Sequence, residues 1–272
     1  AASQERINEF LKEQPQIESG PIQATNLKGR LEFRNVTFSY PNDNKEVLND
    51  ISFVIEPGKT LAIIGRTGSG KSTVSDLAAR MYDPLKGTIL LDGIPLDNYE
   101  LSSLRSNIGY VPQEVFLFSD TIANNISFGI ENGAEMDRIE KAAVNAHIHH
   151  NIIDFKDGYS SVMGERGLTL SGGQKQRISI ARALIREPKL MLLDDCLSAV
   201  DTETEAAILS NLKEIMSNNT TIISSHRISS IQHADEIIVL DQGKIIERGT
   251  HQALLNKKGD YFSLYKKQLT DN

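Results

Sequence analysis

"TLAIIGRTGSGKST", Thr60–Thr73, is the stretch that decides the fold of this chain. "TLAIIG" reads as a strand, and "STVSDLAARMY", from Ser72, reads as a helix. Between them, Gly65–Thr73 fits the pattern G-x-x-x-x-G-K-[ST] in the strand–loop–helix setting that gives it meaning. The glycines let backbone N–H groups turn inward around a β-phosphate, and the helix N-terminus adds the positive end of a dipole. Gly65, Arg66, Thr67, Gly68, Ser69, Gly70, Lys71, Ser72 and Thr73 are therefore candidate nucleotide-binding residues. Lys71 is placed to reach the β- and γ-phosphates, and the Ser72 hydroxyl to ligate Mg²⁺. A glycine-rich turn at a strand–helix junction is the bland alternative, and both spacing and context weigh against it.

On the N-terminal side, "LEFRNVTFSY" alternates at Leu31 and Phe33, then slips one residue to Val36, Phe38 and Tyr40. Such a slip predicts a strand with a bulge or an edge bend. "EVLNDISFVIEPGKTLAIIG" follows as two β-rich runs broken by Pro57-Gly58, a hairpin signal, and "GTILLDGIPL" predicts a hairpin turning at Asp92-Gly93. Together these pieces predict an antiparallel layer. Further upstream, "SQERINEFLKEQ" places Ile7, Phe10 and Leu11 at helical spacing, and "PQIESGPIQATNLKG" reads as a linker, so the folded domain is expected from about Leu31.

On the C-terminal side, the pattern is mostly helical from about Val115 to Leu184. Strands then return in "KLMLLD", "TTIISSH" and "EIIVL", nearly continuous apolar runs of the kind buried on both faces of a parallel sheet. A helical stretch, "TETEAAILSNLKEIMS", separates the first two, and this alternation implies an α/β core.

Composition narrows the function classes. The chain has 272 residues, 39% of them hydrophobic and 24% charged, enough for one large domain with subdomains. A net charge of −7 gives no basic footprint for nucleic acid. The single cysteine, Cys196, cannot form an internal disulfide, which fits a reducing compartment. No apolar run approaches the roughly 18–20 residues of a membrane span and no signal peptide opens the chain, so a soluble, cytosolic-type chain is expected.

A second anion-binding device lies downstream. In "LSGGQKQRISIARAL", Leu170–Leu184, a Ser-Gly-Gly turn opens a helix and places free amides at Ser171–Gly173. An ordinary N-cap is the competing reading. One triphosphate rarely needs two such devices, and a dimer in which each subunit's second device closes over its partner's nucleotide explains both.

With these motifs in order, the sequence resembles the nucleotide-binding domain of ATP-binding cassette (ABC) exporters. "LSGGQ" resembles the family signature, with Ser171, Gly172, Gly173 and Gln174 touching the partner's ATP, and "LMLLD" a Walker B strand ending in the Mg²⁺-binding Asp194. Gln113 in "GYVPQEVFLFSD" resembles the Q-loop glutamine, which touches Mg²⁺ and links to the membrane domain; "SAVD", 198–201, resembles the D-loop. His226 in "SSHR" resembles the switch histidine, and Tyr40 in "VTFSYP" sits where the family stacks an aromatic ring on adenine. Tyr40 as a core-rim aromatic and His226 as a satisfied core histidine are the bland counterparts. "MGERG", 163–167, resembles the exporter X-loop, with Glu165 near the coupling elements.

The resemblance implies an α/β fold: a RecA-like phosphate-loop NTPase core, an antiparallel β subdomain and an inserted helical signature subdomain over about 115–184. It implies that residues 31–272 are the nucleotide-binding domain and residues 1–30 a linker from a transmembrane domain outside this chain. The natural protein would then be a half-transporter, using ATP and Mg²⁺ at the cytoplasmic face of the cell membrane, with a second cassette as partner and no nucleic acid.

One position departs from the family. After Asp194, where a water-polarising glutamate is usual, stands Asp195, one methylene shorter. A carboxylate withdrawn by about 1 Å costs on the order of a hundredfold in rate. This resembles the weak member of a heterodimeric multidrug exporter pair; a homodimer in which a backbone shift lets Asp195 do the glutamate's work is the alternative. Other function classes fit less well. A soluble cassette ATPase acting on nucleic acid or ribosomes would need heptad insertions, tandem cassettes or a basic surface. A phosphate-loop kinase or GTPase leaves "LSGGQ" unexplained. "HIHH", 147–150, has no carboxylate or cysteine to complete a metal site and reads as a solvated helix end.

Overall fold

A computed structural model describes Gln4, residues 15–41, Asp43, and residues 45–130, 133–164 and 168–270. The helical spacing at Ile7, Phe10 and Leu11, and Glu165 of the "MGERG" segment, lie outside the described residues.

In chain order the strands are β1 (Leu31–Phe38), β2 (Leu48–Ile55), β3 (Thr60–Gly65), β4 (Lys86–Leu91), β5 (Ile94–Pro95), β6 (Ile108–Val111), β7 (Leu190–Asp194), β8 (Thr220–Ser224), β9 (Glu236–Asp241) and β10 (Lys244–Gly249). The helices are α1 (Lys71–Ala78), α2 (Leu101–Ser106), α3 (Ile122–Ile126), α4 (Met136–Asn145), α5 (His149–Ile153), α6 (Gly172–Leu184), α7 (Thr202–Asn218), α8 (Ile228–Ile231), α9 (His251–Lys257) and α10 (Asp260–Thr270).

A six-stranded sheet runs β10-β9-β3-β8-β7-β6, and a four-stranded antiparallel sheet runs β2-β1-β4-β5. Within the larger sheet β9, β3, β8, β7 and β6 are parallel, and only the β9–β10 pair is antiparallel. β3 and β7 are buried along their whole length, which explains their unbroken apolar character. Their side chains divide by parity between two cores. Leu61, Ile63, Leu190 and Leu192 join Phe33, Phe53 and Leu77 under the antiparallel sheet, while Ala62, Ile64, Met191 and Leu193 join Ile139, Ile178 and Ile208 under the helices. The strand period of two thus lets one sheet serve as the floor of both layers.

The bulge in β1 falls where the pattern slips. Register shifts separate Phe33 from Val36 on the β2 side, and Asn35 takes a left-handed φ of 48°. The extra residue restores Val36 and Phe38 to the buried face, on which Phe33 stacks on its cross-strand partner Phe53 with ring centroids 4.5 Å apart. Asp92-Gly93 turns the β4–β5 hairpin with φ values of 51° and 81°, the positive pair a tight two-residue turn requires.

The Pro57-Gly58 hairpin is not formed. β2 pairs with β1 in the small sheet, whereas β3 lies between β8 and β9 in the large one. Both edges of β3 are occupied by parallel neighbours, so no hydrogen-bonding side remains for β2. The turn itself is real: Lys59 N–H donates to Glu56 O at 3.0 Å, and the chain uses it to cross from one sheet to the other.

Candidate functional site

Parallel strands end on the same side of a sheet, and ligands gather at that edge. Here the edge receives the Gly65–Thr73 loop after β3, Asp194 and Asp195 after β7, Ser225 and His226 after β8, and Gln113 after β6. Val111, two residues before Gln113, is registered against Leu193, one before Asp194, so Gln113 leaves the sheet beside the acidic pair and is exposed.

The first turn of the helix that follows the loop has no side-chain cap. α1 begins after Gly70, in the left-handed region at φ 103°, which offers no side-chain cap to the first-turn amides of Lys71, Ser72 and Thr73. Gly68, at φ 78°, is exposed with open space where a Cβ would stand, and Arg66 and Thr67 are exposed beside it. Gly65 is needed for packing, because a Cβ there would meet Leu240 O at 2.2 Å. Ser69 Oγ is buried without a hydrogen-bond partner, an unusual state that a ligand oxygen would relieve.

Lys71 is buried, and its Nζ donates to the loop carbonyls of Gly65 at 3.0 Å and Arg66 at 3.2 Å. Two of three ammonium donors are thereby used. Burial lowers its pKa, against the opposing pull of Asp195 and Asp194. Asp194 is held by Ser224, its register partner on β8, whose hydroxyl hydrogen-bonds Asp194 Oδ1. Asp195 Oδ1 accepts the His226 amide at 3.4 Å, and burial raises its carboxyl pKa, partly offset by His226. The donor set, a lysine and unspent amides facing two carboxylates and the half-buried Ser72 hydroxyl, fits a magnesium–triphosphate pair.

Tyr40 joins the site through its hydroxyl, 3.0 Å from Thr73 Oγ1 and 3.4 Å from Asp76 Oδ2, with Phe38 and Tyr82 edge-on around the ring. Tyr110 donates to the other Asp76 oxygen at 2.9 Å, and burial raises the Asp76 pKa. Sequence reasoning missed Asp76 and Ser224. Asp76 carried a signal, a charge on the core-facing helix that follows the loop, whereas Ser224 is defined only by the β7–β8 register.

The second device is built differently from the expectation. Ser171 caps α6 in a reciprocal box with Gln174: Ser171 N–H donates to Gln174 Oε1 at 2.9 Å, and Gln174 N–H to Ser171 Oγ at 3.2 Å. The Ser171 amide is therefore not free, because Gln174 at the third helical position completes the box; the box engages neither the Gly172 nor the Gly173 amide. Gln176 Oε1 accepts the Ala199 amide at 3.2 Å, tying α6 to the Ser198–Asp201 segment, whose Asp201 caps α7. At "HIHH", His149 Nδ1 pairs with Tyr159 OH at 2.8 Å.

The chain can now be set beside known proteins. The sequence profile described as ABC transporter matches residues 48–198. An ATP-dependent lipid A-core flippase of Pseudomonas putida is 46% identical over 97% of this chain and 44% of its own length. An uncharacterized ABC transporter ATP-binding protein of Bacillus subtilis is 47% identical over 99% of this chain and 46% of its own. The structure of a bacterial Atm1-family ABC exporter with ATP bound superimposes with a TM-score of 0.92 at 39% identity, over 98% of this chain and 47% of that one. This chain thus spans less than half the length of these relatives, and none of them favours the nucleic-acid or ribosome reading. Among the described residues no helix is long and apolar enough to cross a membrane. With a phosphate loop set between the strands of an antiparallel β-subdomain and a signature helix downstream, the matches leave one assignment: the chain belongs to the ABC transporter family and spans its ATP-binding, nucleotide-binding domain.

Proposed function

We propose that this domain, residues 31–272, is the motor of an exporter at the cytoplasmic face of a membrane: it binds Mg-ATP, closes against a second cassette, and hydrolyses ATP slowly by itself. The observation that carries the reading is the convergence, at one sheet edge, of an uncapped helix N-terminus, Lys71 and the Asp194–Asp195 pair. Residues 65–73 cradle the phosphates, and the Tyr40 and Tyr82 rings line a groove beside the loop that suits adenine. Ser72, Gln113 and Asp194 are the residues that would hold Mg²⁺, whose chemistry is to neutralise charge on the phosphate oxygens. Lys71 adds positive charge on the γ-phosphate side, Asp195 polarises the attacking water, and His226 contacts the γ-phosphate side from the β8 end. The Ser171–Gln174 segment of a second cassette would close over the same nucleotide, making the dimer the hydrolytic unit.

Slow hydrolysis follows from how Asp195 is anchored. Its N–H donates to Ser224 O at 2.9 Å, and its carbonyl accepts from Ser198 N–H at 3.3 Å and Ser198 Oγ at 2.9 Å. A backbone so held cannot advance to compensate for the missing methylene, which supports a weak site in a mixed pair over a compensated homodimer. The exposed Phe116, Phe118 and Phe128, in contact with one another and with Arg182 near the Phe118 and Phe128 rings, form an apolar patch suited to the membrane domain's coupling elements.

The test is nucleotide-dependent association and hydrolysis by this chain, alone and mixed with a cassette that carries glutamate after its Walker B aspartate. Light scattering should show ATP-dependent dimers that Lys71→Ala abolishes, and the mixture should hydrolyse far faster than this chain alone. ATP binding with no association in either case would defeat the motor reading.

A further inference from the structure

The loop carrying His226 is gripped from two sides by residues remote in sequence. On one side Arg227 donates to Glu205 Oε2 at 2.7 Å and to the carbonyls of Val200 at 3.2 Å and Ser198 at 3.3 Å. On the other side stands Gln268, on the last helix. Its Nε2 donates to His226 O at 2.6 Å, and its Oε1 accepts the Ile228 amide at 2.9 Å. A backbone carbonyl and a backbone amide are unambiguous partners, so the Gln268 amide has only one orientation that serves both.

His226 is thus a one-residue relay. Its N–H donates to Asp195 Oδ1, and its C=O accepts from Gln268. The helix bearing Gln268 is itself firmly seated. Tyr261, Leu264, Tyr265 and Gln268 recur at helical spacing, and the first three pack on the core beneath the helices. At the N-terminus of α10, the buried Glu247 carboxylate accepts the amides of Asp260 at 3.2 Å and Tyr261 at 2.9 Å, while Tyr261 OH pairs with His251 Nδ1 at 2.7 Å. Position is therefore transmitted from β10 through α10 to the peptide that holds Asp195.

We propose that Gln268 is a positioning residue for the Asp195–His226 pair, so that the seating of the C-terminal helix sets the hydrolysis rate of this site. The inference rests on the hydrolytic reading above. Gln268 touches neither nucleotide nor water in it; it acts through the His226 backbone. Gln268→Leu keeps the bulk and removes both hydrogen bonds, and Gln268→Glu keeps the acceptor but replaces the donor facing His226 O with a carboxylate oxygen.

Single-turnover hydrolysis with the full chain in excess over ATP, together with ATP affinity and hydrogen exchange of the Ile228 amide, separates the outcomes. Both variants should turn over about tenfold slower, short of the hundredfold that a full 1 Å misplacement costs, with ATP affinity unchanged within about twofold. The Ile228 amide should exchange faster in Gln268→Leu and stay protected in Gln268→Glu. Unchanged turnover in both variants overturns the proposal, as does a parallel loss of affinity and rate with a lowered melting temperature, which would make Gln268 merely structural. If the wild-type chain shows no Lys71-dependent hydrolysis, the hydrolytic reading fails instead; an unprotected Ile228 amide in the wild type overturns the Gln268 grip in either case.

Discussion

Replacing Asp195 by glutamate should accelerate this chain. The carboxylate of Asp195 reaches the His226 amide only at 3.4 Å, near the outer limit for a hydrogen bond, while its backbone is pinned to Ser224 and Ser198. With φ at +43° the residue takes the left-handed conformation. Adding one methylene therefore advances the carboxylate by about 1 Å, a displacement worth on the order of a hundredfold in rate, or about 2.7 kcal/mol of barrier. ATP affinity should stay within about twofold, because Lys71, Ser72 and Asp194 are untouched. The larger side chain enters a buried position, and any overpacking, about 1–3 kcal/mol at such sites, would appear in the melting temperature rather than in affinity. The assay is single-turnover hydrolysis of labelled ATP by excess chain, with the Lys71→Ala rate subtracted as background. A wild type already as fast as Asp195→Glu, or faster, would refute the reasoning: the shorter carboxylate would then be the competent one.

Three other outcomes follow from the same geometry. Asp195→Asn should raise the melting temperature of the nucleotide-free chain at pH 7. The sign comes from the raised carboxyl pKa, with burial as its main cause: ionising Asp195 costs stability above that pKa, and the cost vanishes as pH falls into the ordinary carboxylate range. The difference between variant and wild type, followed by thermal melts from pH 7 downward, should shrink towards zero. Gly259→Ala would put a Cβ 1.8 Å from Glu247 Oε1 and strip the cap from α10, so urea melts should show a loss of about 1–3 kcal/mol. Phe33→Ala removes one ring of the Phe33–Phe53 stack under the antiparallel sheet, and the same melts should show about 3–5 kcal/mol.

Local features of this chain were readable from the sequence because their causes are local. The phosphate loop needs glycines, a lysine and a serine at set spacing between a strand and a helix, and all three are contiguous at Gly65–Thr73. The one-residue slip before Val36 is the bulge written as a phase change, and Asp92-Gly93 carries its own turn chemistry. Apolar runs at Leu190–Asp194 and Thr220–Ser224 announced strands buried on both faces for the same reason, since each residue's side alternates whatever the neighbour is.

Pairing and convergence were decided by tertiary structure alone. Pro57-Gly58 is a turn in either case, but whether β2 returns along β3 depends on which strands already flank β3, and β8 and β9 do so from far along the chain. The Ser171–Gln174 box is the exception: it is a local contact over three residues, and the S-x-x-Q pattern already carried it where the turn was read as free amides. Ser224 beside Asp194 follows from the β7–β8 register, and Gln268 beside His226 from the seating of α10, across separations of 30 and 42 residues. Sequence specifies period, turn and motif because these act over a few residues. It does not by itself specify which distant side chains meet, because that is set by strand order and packing, and there the second carboxylate and the residues that hold it acquire their geometry.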